Sequence, residues 1–244
     1  MSRPWIFICP SSRGVGHALT RHLLRNTANA KTPIPILATS RTRDSVDSVK
    51  SRLLDGISDS AAENRLHVLP VDVTHEETIN EASQKAADLF PRDDSLGPMM
   101  LMKYFVDFLP RKVAETAPPE TEGDGLKLPH HALWVNMSAR VGSVTDNRLG
   151  GWYSYRSSKA AVNALTKTLD HQLEARSGNK AMCVSYHPGT VKTDLSKGYW
   201  DSTANDKLLE PDDAAARMAK VLTEKVGLEG RGRCWDYNGE EVPP

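Results

Sequence analysis

The chain has 244 residues, 39% hydrophobic and 25% charged, which is enough apolar material for one domain over residues 1–244 without metals or cross-links. Lysine plus arginine and aspartate plus glutamate each number 31, and a formal net charge of +0 excludes a global attraction to nucleic acid or to anionic lipid. The three cysteines are widely separated in or beside apolar runs, which argues against a disulfide framework.

The first predicted element is an apolar run at residues 5–9, which is too short for a signal peptide or a membrane span. A cytoplasmic protein with no membrane partner is therefore expected. Further short β-rich runs follow at residues 34–39, 66–71, 133–137, 182–186 and 233–237. The segments between them carry helical periodicity, and this alternation predicts an α/β Rossmann-type fold, a doubly wound parallel sheet in a three-layer αβα arrangement.

A turn with two glycines follows the first predicted strand and precedes the first predicted helix. Gly14 and Gly16 would let the backbone approach a pyrophosphate, which the free N–H groups of a helix start can bind. Taken alone, the pattern also fits an ordinary tight turn. The cofactor contacts predicted here are Ser11, Ser12, Arg13, Gly14, Val15 and Gly16.

The ends of the second and third predicted strands carry charged residues. Arg41 stands where an NAD enzyme normally places an acidic residue, so Arg41 with Arg13 nearby favours the 2′-phosphate of NADP; a solvated cation is the alternative. The third strand runs into Asp72-Val73. In this context Asp72 is expected beside the adenine, or else as the cap of the following helix.

The sharpest pattern is Tyr155 and Lys159, four residues apart at the start of the longest predicted helix. Residues at this spacing share a helix face, and a nearby ammonium lowers the pKa of a phenol toward the range of proton exchange with a carbonyl or alcohol oxygen. A surface pair is the alternative. A later strand ends in a loop suited to hold a nicotinamide, with contacts predicted at Pro188, Gly189, Val191 and Thr193.

Five motifs now stand in one order: the glycine turn, Asp-Val, a strand ending in serine, Tyr-x-x-x-Lys and a Pro-Gly loop. In this the chain resembles the short-chain dehydrogenase/reductase family, particularly its C-factor-like or sniffer-like carbonyl reductases. The resemblance implies hydride transfer between NADP(H), with NADPH preferred over NADH, and a small-molecule carbonyl or alcohol. It implies that Tyr155 is the proton donor or acceptor and that Lys159 binds the nicotinamide ribose. It also implies a homodimer or homotetramer.

Three departures from the family pattern matter. Pro10 replaces the first glycine of the turn. The usual Ser-Ser pair is Ser138-Ala139, so Ser138 or Ser143 must supply the catalytic hydroxyl, and Ser138 is preferred. The helix predicted at residues 75–90 should be followed by the family's strand ending in Asn-Asn-Ala-Gly, but no such motif is present. About thirty residues, which correspond to one strand-helix unit, are missing. Asp94 then stands near the place of the family's active-site asparagine.

Two explanations of the missing central strand remain open, and the first is favoured. The chain is either a splice variant or a faulty gene prediction, or residues 99–105 form a replacement strand. Activity of this form is accordingly in question, and a catalytically inactive nucleotide-binding or protein-interaction member is the alternative. A Rossmann-like methyltransferase would have no use for Tyr155 with Lys159.

Residues 115–131 are predicted to be an exposed loop. The His130-His131 pair in this loop lacks the further ligands of a metal site, so no metal is assigned.

Overall fold

The computed structural model describes residues 4–28, 33–57, 61–89, 100–113 and 126–244. The chain divides into two compact units, Met1–Leu128 and Pro129–Pro244. The single domain over residues 1–244 stays a prediction. Of the predicted loop at 115–131, residues 115–125 lie outside the described residues, as does Asp94, and residues 126–131 contain no helix or strand.

The first unit contains a three-stranded parallel sheet in the order β1-β2-β3. Its strands are β1 (Ile6–Ile8), β2 (Ile36–Ser40) and β3 (Leu66–Pro70). Its helices are α1 (Gly14–Asn26), α2 (Val46–Leu54), α3 (Ala62–Arg65), α4 (Glu76–Leu89) and α5 (Met100–Phe105). Within this sheet β2 is the central strand and all five of its residues are buried, as its continuous apolar sequence predicts.

The alternative in which residues 99–105 form a replacement strand is wrong, because α5 is a helix from Met100 to Phe105. This helix packs on α4: the Ser83 hydroxyl donates to the Tyr104 carbonyl at 3.0 Å, and Lys103 pairs with Glu76 at 2.6 Å. The buried ring of Phe105 stacks on Phe7 of β1, with 4.3 Å between centroids. In the described residues between β3 and Leu128, the regular elements are therefore helical.

The second unit contains a four-stranded sheet in the order β4-β5-β8-β9, in which only β9 is antiparallel to its neighbour. The strands are β4 (Ala132–Met137), β5 (Ala181–His187), β6 (Thr190–Val191), β7 (Leu208–Leu209), β8 (Cys234–Asp236) and β9 (Glu241–Val242). The helices are α6 (Tyr153–Ser177) and α7 (Pro211–Lys220), and a π-helical turn spans Val221–Lys225. Strands β6 and β7 form a separate parallel pair.

The predicted α/β class, with parallel strands alternating with helices, is confirmed, and each of the six apolar runs contains a strand. Burial on both faces holds for the central strands β2 and β5, whereas β4, at the edge of its sheet, is mostly half-buried. None of the helices in the described ranges is long and apolar enough to cross a membrane.

A buried ion pair ties α6 to the β5 side of the second unit. The Arg231 guanidinium contacts both carboxylate oxygens of Asp170, at 3.1 and 2.9 Å, and the same carboxylate accepts the Cys183 amide hydrogen at 2.9 Å. Arg231 also donates to the carbonyls of Gly178 and Ala181, which follow the end of the helix. Both charges are therefore paired and their remaining hydrogen-bonding groups are used.

We expect Asp170→Asn to lower the free energy of unfolding by about 3–5 kcal/mol, because it leaves the buried Arg231 charge without a counter-ion. Asp146→Asn is the matched control: Asp146 pairs with Arg140 at 2.9 Å, but its side chain is 36% exposed, and a loss of at most about 1 kcal/mol is expected. Urea unfolding of both variants measures the difference. Equal losses would contradict a structural role for the buried pair.

Candidate active site

The turn between β1 and α1 is built around two positions that require glycine. Gly14 has a φ of 62°, in the left-handed region. A Cβ on Gly16 would lie 1.9 Å from the Pro10 carbonyl oxygen, so the helix can approach the turn this closely only without a side chain there. The fully buried Ser11 fixes the turn, since its hydroxyl donates to the Ile8 carbonyl at 2.6 Å.

The start of α1 fits an anion. Its N-cap residue Arg13 has extended backbone and makes no side-chain cap, so first-turn amide hydrogens remain without a side-chain acceptor in the described part of the chain. Such a helix start binds phosphate groups. Arg13 is exposed, and Ser12 and Val15 are half-buried beside it. The Cys9–Pro10 peptide is cis, and the Pro10 carbonyl lies against Gly16 rather than toward solvent.

The charged residues at the ends of β2 and β3 contact each other. Arg41 donates through Nε to the Asp72 carboxylate at 3.1 Å, and the Arg41 side chain is 72% exposed. Asp72 also accepts from the Thr74 hydroxyl at 2.7 Å and from the Thr74 amide at 3.0 Å. These Thr74 hydrogen bonds, with Arg41, hold the pKa of Asp72 well below its usual range. Val73 beside it is exposed, and an adenine contact stays a prediction.

Tyr155 and Lys159 lie on one face of the first turns of α6. The Lys159 Nζ atom is 5.9 Å from the centroid of the Tyr155 ring, and the Tyr155 side chain is 43% exposed. Within the described residues the Tyr155 hydroxyl makes no hydrogen bond, so it is free to contact a substrate. The predicted sharing of a face is therefore found.

The expectation that Lys159 lowers the pKa of Tyr155 is wrong for this arrangement. The Lys159 ammonium donates to the Met137 carbonyl at the end of β4, at 2.9 Å, and so does not contact the phenol oxygen. Burial raises the pKa of Tyr155 above its ordinary value, and burial also lowers the pKa of Lys159. The phenol is thus held in its protonated form at neutral pH.

The loop after β5 is closed on itself. The Ser196 hydroxyl bonds to the Val191 carbonyl and accepts the Thr193 amide at 3.2 Å. Gly189 has a φ of 75°, and a Cβ there would lie 2.8 Å from the Tyr237 ring. The neighbouring His187 is half-buried, and desolvation lowers its pKa to about 4, so it is neutral at physiological pH. Pro188 and Gly189 therefore shape a turn, while the nicotinamide contacts at Pro188, Gly189, Val191 and Thr193 stay predictions.

Several curated proteins are similar to this chain. The C-signal protein of Myxococcus xanthus is 33% identical over 109 residues, which are 45% of this chain and 59% of that protein. The 1-hydroxy-2-glutathionyl-2-methyl-3-butene dehydrogenase of Rhodococcus sp. is 40% identical over 103 residues, 42% of each chain. The chain thus spans about half the length of these relatives. An uncharacterized oxidoreductase of Schizosaccharomyces pombe is 24% identical, with 97% of this chain and 96% of that protein aligned.

Solved structures show the same fold. The carbonyl reductase Sniffer of D. melanogaster matches with a TM-score of 0.69 and 21% identity, and NADPH-bound carbonyl reductase from chicken fatty liver with 0.70 and 19%. Both matches cover 100% of each chain. Parts of the chain are therefore similar to C-signal and to a dehydrogenase, and the chain has the fold of these carbonyl reductases. No protein-family model matches the chain.

Ser138 and Ser143 are the two candidates for the catalytic serine that the resemblance implies, and both hydroxyls are engaged elsewhere. Ser138 donates to the Asn163 amide oxygen at 2.7 Å and is 4% exposed. Ser143 donates to the Pro244 carbonyl at 3.2 Å and accepts the Asp146 amide at 2.9 Å. Neither contacts Tyr155 or Lys159 in the described residues. Ser138 as the catalytic serine stays a prediction.

Three features near the predicted site residues were not predicted from the sequence. Asn163, one turn beyond Lys159, binds Ser138 and so attaches the end of β4 to α6. A Cβ on Gly142 would lie 2.7–2.9 Å from backbone and side-chain atoms of Lys159, so only glycine allows this approach. Trp152, with a φ of 49°, packs edge-on against Tyr199 at 5.7 Å. The helical spacing of Asn163 and the Gly150-Gly151 pair before Trp152 were the available signals.

The absence of a metal stays a prediction from the sequence, and the described residues contain no group of three or more His, Cys, Asp or Glu side chains placed to hold a metal ion. The side chains at hand instead suit proton transfer and anion binding. They are the phenol and ammonium of α6 in the second unit, and the start of α1 with Arg13 and Arg41 in the first unit.

Proposed function

We propose that the chain is an NADP(H)-dependent oxidoreductase that interconverts a carbonyl and an alcohol on a small molecule. The observation that carries the proposal is the half-exposed Tyr155, with a free hydroxyl, on the same helix face as Lys159. The similarity to an oxidoreductase of S. pombe over nearly the whole of both chains supports it, as does the fold shared with NADPH-bound carbonyl reductase.

The residues of α6 favour the reductive direction. A bound NADPH would supply the hydride, and the carbonyl oxygen must then receive a proton. The Tyr155 phenol, whose pKa is raised by burial, is protonated at neutral pH and would give this proton to the carbonyl oxygen. Lys159, oriented by the Met137 carbonyl, would bind the nicotinamide ribose through its remaining N–H groups. Ser138 would assist at the carbonyl oxygen only after leaving Asn163.

The residues of the first unit fit a dinucleotide phosphate. The uncapped start of α1 provides donors for a pyrophosphate, and Gly16 allows the helix to pack closely against the turn at Pro10. Arg41 is held by Asp72 through Nε, so its two terminal nitrogens can face the 2′-phosphate of NADP. We therefore assign NADPH in preference to NADH.

Arg41→Gln is expected to weaken NADPH binding by roughly 10- to 100-fold and to leave NADH binding nearly unchanged, because it removes a charge-assisted bond worth about 1.5–3 kcal/mol. Fluorescence titration with both nucleotides measures the change in preference. Arg52→Gln, an exposed arginine on α2, is the control for the loss of one charge. An equal loss for both nucleotides would refute the assignment of Arg41 to the 2′-phosphate.

We propose that the loss of the central strand with the Asn-Asn-Ala-Gly motif affects the activity of this form. The alignment with the S. pombe protein runs over 265 positions, so at least 21 of them are gaps in this 244-residue chain. This agrees with a lost segment but does not locate it. The specific observation that favours the inactive alternative is Ala139, 6% exposed, where the family has its catalytic serine. Transcripts read across codons 90–95 would reveal an encoded insertion.

The test is NADPH oxidation by the full chain with a panel of aldehydes, ketones and quinones, together with a thermal shift with NADPH. Turnover of any carbonyl supports the proposal. Stabilisation by NADPH without turnover would reject it in favour of a nucleotide-binding member without activity. No shift and no turnover would reject both. The homodimer or homotetramer and the cytoplasmic location stay predictions from the sequence.

A further inference from the structure

The second unit has a pocket outside the residues proposed for carbonyl chemistry. It lies between α7, the π-helical turn and the loop after β8, with a volume of about 200 Å³. It is lined by Arg217, Lys220, Val221, Lys225, Tyr237 and Asn238. Three of these six side chains are cationic, and no carboxylate lines the pocket in the described part of the chain.

The π-helical turn brings the three cations together. Arg217 and Lys220 are three residues apart and share a face of α7. Lys225 is five residues beyond Lys220 and would point away from that face in an ordinary α-helix. The turn at Val221–Lys225 is wider, with the Val226 amide bonded to the Val221 carbonyl at 3.0 Å, so Lys225 returns to the pocket. Such turns frequently occur at functional sites.

Lys225 is held in place by the β8–β9 hairpin. Its Nζ atom donates to the Asn238 carbonyl at 2.6 Å. A Cβ on Gly239 would lie 2.5 Å from the Lys225 Cδ atom, so the glycine, with a φ of 79°, leaves space for the lysine stem. One cation is therefore fixed by the backbone while its other N–H groups remain available to a ligand.

No carboxylate forms an ion pair with the cations of the pocket in the described residues. Arg217 and Lys220 make no ion pair within the described residues, and Arg217 lies over the Tyr237 ring at 5.9 Å. Two of the three acidic side chains of the same hairpin are engaged elsewhere, and the third, Glu240, makes no ion pair in the described residues. Asp236 binds Arg140 at 2.8 Å, and Glu241 binds Arg233 at 2.8 Å.

We propose that this pocket binds the phosphate group of a small molecule. A guanidinium offers two parallel donors to phosphate oxygens, and two ammonium groups balance a dianion. The volume exceeds that of a phosphate group and leaves room for a short organic substituent. The site does not depend on the proposed oxidoreductase function, because none of its residues takes part in it.

The test is titration of the full chain with inorganic phosphate and with glycerol 3-phosphate at pH 7.5, followed by NMR shifts of the amides of residues 237–239. We expect saturable shifts there, and an apparent Kd at least about tenfold weaker in Arg217→Gln/Lys220→Gln. Tighter binding of glycerol 3-phosphate identifies a phosphorylated metabolite as the ligand. Equal binding identifies free phosphate.

Arg25→Gln/Lys85→Gln is the matched control, since it removes two positive charges from exposed helix positions in the first unit. It should leave the Kd at residues 237–239 unchanged within about twofold. Lys220→Gln alone, at an exposed position, guards against misfolding of the double variant and should weaken binding in the same direction. The proposal is overturned if the wild-type shifts do not saturate, or if the pocket variants and the control bind equally.

Discussion

Tyr155→Phe is expected to reduce kcat/KM for carbonyl reduction by roughly 10²- to 10⁴-fold, the usual contribution of a positioned proton donor. The substitution removes one oxygen atom that makes no hydrogen bond in the described residues, from a side chain that is 43% exposed. The fold and the affinity for NADPH should therefore be kept, within about threefold. Steady-state kinetics of the wild type and the variant, with NADPH titrations of both, measure the two quantities separately.

Tyr153→Phe provides the control for this experiment. Tyr153 lies in the same first turn of α6 and its side chain is 82% exposed. The same chemical change there should leave kcat/KM within about twofold of the wild type. If both variants lose activity equally, or if Tyr155→Phe remains as active as the wild type, the phenol is not the proton donor and the proposed mechanism fails.

Much of the fold could be predicted because apolar runs and helical spacing are properties of short, continuous segments of the sequence. The apolar run of β5 is buried at six of its seven residues, as a central parallel strand requires. Tyr155 and Lys159 share a face because helical periodicity fixes their relative directions. The helix at Met100–Phe105 could also have been predicted, because its Met, Leu and Lys residues are good helix formers. The expected loss of a strand instead favoured a replacement strand at this place.

The polar contacts of the site depend on backbone directions that the sequence does not reveal. The bond from Lys159 to the Met137 carbonyl requires knowledge of where β4 ends relative to α6. It reverses the expected effect on Tyr155, whose pKa is raised by burial and not lowered by the ammonium. Likewise, Ser138 looked available as a catalytic hydroxyl, but Asn163 binds it in the interior.

The loop before α6 could not be predicted because its conformation is unusual. Gly150, Gly151 and Trp152 have consecutive positive φ angles of 66°, 68° and 49°. The Arg156 guanidinium holds this run by donating to the carbonyls of Gly150 and Gly151, at 3.1 and 3.0 Å. A tryptophan rarely adopts this region, and the neighbouring arginine compensates for it. Sequence rules predict positive φ angles for glycine but not for tryptophan.

Gly16→Ala is expected to impair nucleotide binding in the first unit. The added Cβ would lie 1.9 Å from the Pro10 carbonyl oxygen, well inside contact distance, and this neighbour is backbone and cannot rotate away. The turn or the start of α1 must therefore move, which changes the amides proposed for the pyrophosphate. We expect NADPH binding at least about tenfold weaker and a stability loss of about 1–3 kcal/mol.

The effect on nucleotide binding and the effect on stability are separated by measuring both the NADPH affinity and the free energy of unfolding of each variant. Gly198→Ala is the control for stability, because a Cβ there meets no atom within 4 Å and its φ is not positive. It should change the free energy of unfolding by less than about 0.5 kcal/mol. If Gly16→Ala loses stability but keeps full affinity for NADPH, the turn has a structural role alone. The pyrophosphate must then bind elsewhere, because the N-terminal amides of α1 cannot move without changing their contacts to it.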